Sequence, residues 1–326
     1  MPDSDLNQNA FHPGELALQS SIDAVEKMAP IGERLIRNVL IEQHKNFYPE
    51  LPCIFIGALD DLARPWATLA YGKPGFIHAA SETSLHIDAR PIGADLLNLE
   101  LSNQADVGLL GLNFSNRRRN RLNGTVNHSD KNSFSVELKQ SYGNCPKYIQ
   151  IRDTGNDFNL GPITDTHSFS SLDTETTEII KNSDCFFIAS AYLESDIKSI
   201  NSHSSTKASA FGVDVSHRGG KPGFVKVTDN GQIVWDDYPG NKFFNTLGNI
   251  LANPQTGLLF IDFDKGDLFL LNGKTIIYNY PEAEVTSMST GKILRKAIFD
   301  IEQGIRFSTS NSLSWPTIEY SPALDD

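Results

Sequence analysis

Gly72-Lys73-Pro74-Gly75-Phe76 returns as Gly220-Lys221-Pro222-Gly223-Phe224, 148 residues later. Gly108-Leu109-Leu110 returns as Gly257-Leu258-Leu259, and Leu122-Asn123-Gly124 as Leu271-Asn272-Gly273, both at an offset of 149. Three short matches, in the same order and at nearly constant spacing, mark an internal duplication. The period far exceeds the ~20–50 residues of a solenoid repeat, so each copy is a small domain in its own right. Two such domains are expected to pack as a pseudo-dimer. The cleft between them is a natural ligand site that need not be used twice.

Working outward from the repeats, residues 1–16 carry no strong periodicity. Residues 17–47 read as helix, with Ile22, Val25, Met28, Ile31, Leu35, Val39 and Leu40 at helical spacing. Pro30 lies inside that run and is expected to split it. From Leu51 the pattern changes to short β runs: Cys53–Gly57, Trp66–Ala70, Phe76–His78, Ser84–Asp88, Val107–Phe114 and Arg118–Asn127, with one or two more over 134–151. Residues 152–172, rich in Asp, Asn, Gly, Ser and Thr, read as a linker. Thr174–Asn182 reads as a short helix capped by Asp173.

The β pattern then repeats at Cys185–Ala191, Gly212–Ser216, Phe224–Val227, Gln232–Trp235, Gly257–Phe263 and Asp267–Tyr278. Cys53 and Cys185 are only 132 residues apart, so the second copy carries about 16 extra residues, assigned to the Ser-rich Ser199–Ser209. The chain divides into a helical extension (1–47), a first copy (48–151), a linker (152–172) and a second copy with a C-terminal extension (173–326). The fold class is mainly β with flanking helices, one small barrel per copy.

The net charge of −12 argues against a general nucleic-acid or anionic-membrane surface. No apolar run reaches the ~18 residues of a membrane span. The start, Met1-Pro2-Asp3-Ser4-Asp5, lacks a signal-peptide pattern, so a cytoplasmic location is expected. Three cysteines are too few for a disulfide framework. Cys53 and Cys185, at matching places in the two copies, read as small core residues.

Chemistry concentrates in Asp214-Val215-Ser216-His217-Arg218-Gly219-Gly220, continued by Trp235-Asp236-Asp237-Tyr238-Pro239-Gly240-Asn241-Lys242. After Pro239-Gly240 a helix is expected, with Asn241 as its N-cap and Lys242 in its first turn. A helix start favours an anion, and a lysine there opposes the dipole. A bound phosphate would account for it; a solvent-exposed lysine is the alternative. Glycines 219, 220 and 223 either admit a ligand close to the backbone or form a tight turn.

Arg117-Arg118-Arg119-Asn120-Arg121 puts four guanidiniums into five positions. On a strand, Arg117, Arg119 and Arg121 share one face and Arg118 takes the other. Such a cluster suits a phosphate or an electron-rich ring edge, or else is a solvated face. Asn144-Cys145-Pro146-Lys147-Tyr148 closes the first copy, with Cys145 either a reactive or a buried structural thiol. No metal-ligand spacing, dinucleotide fingerprint or Walker loop occurs, and no catalytic constellation can be assembled.

These segments together resemble the pyridoxamine 5′-phosphate oxidase-like FMN-binding split-barrel superfamily, above all its branch of flavin-nucleotide-binding proteins. In the second copy the resemblance rests on Asp214–Phe224, Tyr238–Lys242, Asn245–Asn249, Asn253-Pro254 and Gly257–Phe260. In the first it rests on Arg64-Pro65-Trp66, Pro74–Phe76, Arg117–Gly124 and Asn144–Ile149, preceded by Phe11-His12-Pro13-Gly14-Glu15. It implies tandem six-stranded Greek-key split barrels arranged as a pseudo-dimer, with FMN at their interface. The implied cofactor contacts are Ser216, His217, Arg218, Gly219, Trp235, Tyr238, Asn241 and Lys242, with Arg117, Arg119 and Arg121 from the first copy.

Where the oxidase holds the flavin phosphate with Ser-Arg-Lys, this chain has Gly240-Asn241-Lys242 and retains only the lysine. The first copy has Pro91-Ile92-Gly93-Ala94 there; the second has Asp267-Leu268 where the first has Arg118-Arg119. Each copy lacks part of the site, so one composite pocket is expected, with the phosphate on the second copy. The implied function is an FMN-dependent oxidoreductase of a small-molecule substrate. Electrons would come from a diffusible or protein donor, since three scattered cysteines cannot hold an iron–sulfur cluster. The rivals are a flavin carrier without turnover and a haem-handling split barrel. A homodimer is compatible with all three.

Overall fold

The computed structural model describes residues 10–143, 145–154, 158–200, 207–281 and 295–325. Three helices open the chain: α1 (Pro13–Ser20), α2 (Val25–Leu35) and α3 (Glu42–Phe47). The first copy contributes β1 (Cys53–Leu59), β2 (Pro65–Tyr71), β3 (Ile77–Ala79), β4 (Ser84–Ile87), β5 (Asp106–Leu112), β6 (Arg119–Ser129) and β7 (Phe134–Gly143). Next come β8 (Ile151–Arg152), β9 (Ile163–Phe169) and α4 (Thr174–Asn182). The second copy supplies β10 (Cys185–Tyr192), β11 (Gly212–Gly219), β12 (Val225–Val227), β13 (Ile233–Asp236), α5 (Asn245–Ala252), β14 (Gln255–Ile261), β15 (Leu268–Asn279) and β16 (Arg295–Thr309). Strand β17 (Thr317–Glu319) pairs back with β8.

Each copy forms one antiparallel sheet, ordered β2-β1-β5-β6-β7-β4-β3 in the first and β11-β10-β14-β15-β16-β13-β12 in the second. The two paths are the same, with every strand number raised by nine. Strands β5, β6 and β7 are successive antiparallel partners and β4 lies beside β7, which is a Greek key. The chain is a tandem of split barrels, each with seven strands rather than the six expected.

Each repeated tripeptide or pentapeptide marks a place where the backbone favours glycine, through a left-handed turn, a bulge or a close approach. In the turn after β2, Gly75 has φ 99°, and in the turn after β11, Gly223 has φ 91°, both left-handed. The amides of Phe76 and Phe224 donate to the carbonyls of Lys73 and Lys221, each at 3.0 Å. This repeat is therefore a turn, and the ligand-approach reading of Gly220 and Gly223 is set aside. The Leu-Asn-Gly repeat is a β-bulge: the β6–β7 register shifts at Asn123/Gly124 and the β15–β16 register at Asn272/Gly273. A Cβ on Gly124 or on Gly273 would lie 2.0 Å from the carbonyl oxygen of the neighbouring strand.

The third repeat sits where the copies meet. A Cβ on Gly108 of β5 would lie 2.6 Å from Asp214 Cα in β11, and one on Gly257 of β14 would lie 2.6 Å from Trp66 Cα in β2. Since β11 is the counterpart of β2, these are the two symmetry-related halves of one interface. Phe55 and Phe187, also counterparts, stack face to face across it with ring centroids 3.5 Å apart and planes at 11°. One apolar core runs through the contact, from Ile56 and Leu109 of the first copy to Val215 and Leu259 of the second. Cys53 and Cys185 are both buried in it.

Several expectations are corrected. Pro30 sits inside α2 without splitting it: its exposed ring forgoes one intrahelical bond, and the helix ends at Leu35 instead. The presumed linker holds β9, which pairs with β16 from Ile163 to Phe169. Six of the seven β9 side chains are exposed, so no apolar alternation announced it. The 15-residue β16 lies where the sequence pattern indicates only a C-terminal extension. The Ser-rich insertion and Asn144 fall partly or wholly outside the described residues. The helical extension is anchored through α1: Gly14 and Gly248 of α5 approach so closely that a Cβ on Gly14 would lie 2.2 Å from Gly248 O.

Gly108→Ala and Gly257→Ala should each destabilise the fold by about 1–3 kcal/mol, because the colliding atoms are backbone and cannot turn aside. Gly75→Ala meets open space and should cost only its left-handed strain, about 1 kcal/mol. Urea unfolding curves of the three variants check this; a neutral Gly108→Ala would contradict the interface.

Candidate functional site

A cleft of about 390 Å³ opens between the two copies. Strand β6 supplies Arg119 and Arg121, and the segment after β7 supplies Cys145, Lys147 and Tyr148. Strand β11 supplies Ser216, His217, Arg218 and Gly219, and the stretch from β13 into α5 supplies Trp235 to Lys242 and Phe244 to Leu247. Arg295, which opens β16, completes the wall. Of the residues expected at a cofactor site, Ser216, His217, Arg218, Gly219, Trp235, Tyr238, Asn241, Lys242, Arg119 and Arg121 all line this cleft.

Arg117 does not line it. The strand begins at Arg119, and Arg117 occupies the preceding turn with φ 61°. Its side chain leaves the shared face and binds Ile149 O at 2.9 Å and Glu319 Oε1 at 2.7 Å. Arg118 takes the opposite side, as expected, over the Phe47 ring.

The cleft carries six cationic side chains (Arg119, Arg121, Lys147, Arg218, Lys242, Arg295) against two acidic ones (Asp236, Asp237), inside a protein of net charge −12. Arg121 pairs with buried Asp214 at 3.2 Å and donates to Tyr142 and Ser216. Arg218 and Arg295 share Asp237, at 3.5 and 4.0 Å. Arg119 has no acidic partner within 4.0 Å among the described residues. Burial, then the neighbouring Arg121 and Arg218, pulls its pKa down to about 9, although part of the side chain is open to the cleft. Buried nitrogens without a hydrogen-bond partner remain on Arg119, Arg121, Arg218 and Arg295 (each Nε, with Arg295 Nη1) and on His217 (Nε2). Burial, with Arg119, Arg152 and Arg218 nearby, holds His217 well below its ordinary pKa, so it is neutral at neutral pH.

The helix start differs from expectation. Helix α5 begins at Asn245, not after Asn241, because Lys242 and Phe244 both adopt left-handed backbone, with φ 65° and 60°. Asn241 instead accepts from the Phe243 amide in a local turn, and Lys242 lies exposed ahead of the helix, so no dipole conflict exists. Phe244 stands at the N-cap and offers no capping side chain, while Asn245, Thr246 and Leu247 line the cleft. An uncapped helix start therefore does face the site, three residues later than the sequence suggested.

The pseudo-symmetric position in the first copy is filled. Strand register equates Ser216, His217, Arg218 and Gly219 with Thr68, Leu69, Ala70 and Tyr71. The duplication offset equates Arg119 and Arg121 with Leu268 and Leu270, which are fully buried. Phe158, Leu160, Phe307 and Trp315 join them in one apolar cluster, and Tyr71 donates to Gly161 O at 3.2 Å. The segment read as a linker is part of this plug.

Asp237 lies inside the quoted Trp235–Lys242 stretch but is not among the expected contacts, and Arg295 lies outside every quoted motif. Cys145 is partly exposed at the cleft wall rather than buried. Among the described residues no group of three or more potential ligands could hold a metal ion, and no helix is long and apolar enough to cross a membrane.

No protein-family model matches the chain, and no curated protein does. Solved structures with local likeness include a putative pyridoxamine 5′-phosphate oxidase from Lactobacillus delbrueckii, with TM-score 0.30 and 13% identity, covering 42% of this chain and 94% of that one. HupZ from Group A Streptococcus aligns with TM-score 0.25 and 10% identity over 46% of this chain and 98% of its own. An FAD-binding protein from Mesorhizobium loti aligns with TM-score 0.26 and 11% identity over 44% and 99%. Each spans a little less than half of this chain, and at these scores none carries functional weight.

Asp237→Asn should destabilise the ligand-free protein by roughly 2–3 kcal/mol, since it orphans Arg295 and Arg218. The full cost of an unpaired buried charge is not reached, because Arg218 keeps a quarter of its side chain in solvent. Added phosphate should stabilise this variant more than the wild type, as read from thermal melts; an equal response would contradict the anion-binding character of the cleft.

Proposed function

We propose that the cleft binds FMN and that the protein is a flavin-dependent oxidoreductase acting on a small molecule. The observation that carries this reading is the ring of guanidiniums with unpartnered buried nitrogens, on Arg119, Arg121, Arg218 and Arg295, around one cleft. Buried polar groups without partners are rare and call for a ligand or ordered water. The residues fit a flavin mononucleotide. The volume lies in the range of small-molecule sites, roughly 300–1,000 Å³. Ser216, Arg218 and the start of α5 suit the phosphate and ribityl chain. Trp235 and Tyr238 offer aromatic faces to the ring system, and Arg119 and Arg121 would favour negative charge on it. FMN is proposed rather than FAD because the site has one helix start for one phosphate and the chain has no dinucleotide fingerprint. When bound, a flavin supplies hydride or electron transfer; the chain binds it, orients it and sets its electrostatics.

Purified protein titrated with FMN tests the reading. Arg119→Ala should weaken binding by about 10- to 150-fold, the loss of one charge-assisted contact of roughly 1.5–3 kcal/mol. Arg118→Ala, on the other side of the strand, should change it little. Equal losses from both would sink the assignment. Bleaching of the flavin band near ~450 nm by NAD(P)H supports turnover, whereas bound flavin that no donor reduces supports a carrier.

A further inference from the structure

Behind the cleft lies a buried acid that the proposed flavin site does not use. Glu15 is 4% exposed. Its Oε2 accepts from the His12 amide at 2.8 Å, and its Oε1 accepts from Asn245 Nδ2 at 2.5 Å. Asn245 Oδ1 accepts from Tyr142 Oη, which accepts from Arg121 Nη1, each at 3.1 Å. This chain joins Glu15 to a guanidinium of the cleft wall. Glu15 also borders a small polar cavity of about 20 Å³, room for one water, with Asp214, Asn249, Gln140 and Asn123.

We propose that Glu15 takes up a proton when an anion binds in the cleft, which makes the cleft's affinity pH-dependent. The proposal rests on the anion-binding reading of the cleft, not on the identity of the anion. Glu15 faces His12 on its own cap, Asn245 of α5, Asp214 of β11, Arg121 of β6 and Tyr142 of β7. His12 is no cation here, since burial lowers its pKa to about 3. Two carboxyls, Glu15 and Asp214, thus lie near one guanidinium. Asp214 holds it in a direct ion pair; Glu15 touches no charged base. An anion on the cleft side of Arg121 draws on the same positive charge. The carboxyl with the weaker hold then protonates first. Burial, reinforced by Asp214 and opposed by its hydrogen bonds and Arg121, already raises Glu15 to about 8. The sign follows: the anion prefers protonated Glu15, so by reciprocity a bound anion raises Glu15 further. Affinity is then highest below Glu15's titration and falls as pH rises through it. The fall is about tenfold for each unit by which the ligand raises its midpoint.

Calorimetric titration with FMN near pH ~8.5, in two buffers of different protonation enthalpy, counts the protons. The ligand's phosphate, with a second pKa of about 6, is fully ionised there. The wild type should take up roughly half a proton if the midpoint moves by one unit. Glu15→Gln, which keeps the capping box, should lose the greater part of the uptake and leave only the smaller share of Arg119, whose lowered pKa also responds to an anion. Infrared difference spectra of the wild type should gain a protonated-carboxyl band on binding, a readout that needs no variant. FMN binding without uptake, or uptake unchanged by Glu15→Gln, overturns the proposal. Inorganic phosphate titrated in parallel separates the two readings: phosphate binding with uptake and no FMN binding supports the proposal and overturns the flavin reading. Binding of neither overturns both.

Discussion

Everything in this molecule depends on how closely two sheets approach along Gly108, Gly257 and the Phe55–Phe187 stack. Closely packed interiors tolerate little added volume, so glycine on each side is a condition of the contact. The contact makes one continuous core of two copies. It also brings Arg119 and Arg121 of one copy to Ser216–Gly219 of the other. The cleft is a product of the interface; neither copy contains it alone.

The symmetry stops at the clefts. One position keeps guanidiniums and an uncapped helix start. Its counterpart has replaced them with Leu268, Leu270, Leu69 and Ala70 and receives Phe158, Phe307 and Trp315 from elsewhere in the chain. Each such side chain contributes about 1.5–3 kcal/mol on burial. Among the described residues, Asp214 and Asp237 are the close acidic partners of the cleft's guanidiniums. Filling one site therefore offsets the cost of keeping the other polar.

The fold was legible because the repeated motifs mark constraints on the backbone: a left-handed turn, a close approach and a bulge. Only glycine meets them without strain, so these positions stand out after the copies have diverged elsewhere. The site was legible for a related reason, since Ser216–Gly219, Trp235–Lys242 and the arginines of β6 cluster by type. What failed was conformation that residue type does not announce. Arg117, Lys242 and Phe244 are left-handed without being glycine or asparagine, and those angles displaced one arginine from the cleft and moved the start of α5. Strand β9 escaped notice because its side chains face solvent. Glu15 lay within a motif, yet nothing in that motif signals its link to Arg121, which only the folded chain creates.

The central claim is one binding site per chain, between unequal halves. Equilibrium dialysis of the purified protein against FMN measures it directly. The account predicts saturation at one FMN per chain, with Arg119→Ala weakening that single class of sites about 10- to 150-fold. Saturation at two per chain, or one site that survives Arg119→Ala unchanged, would contradict it.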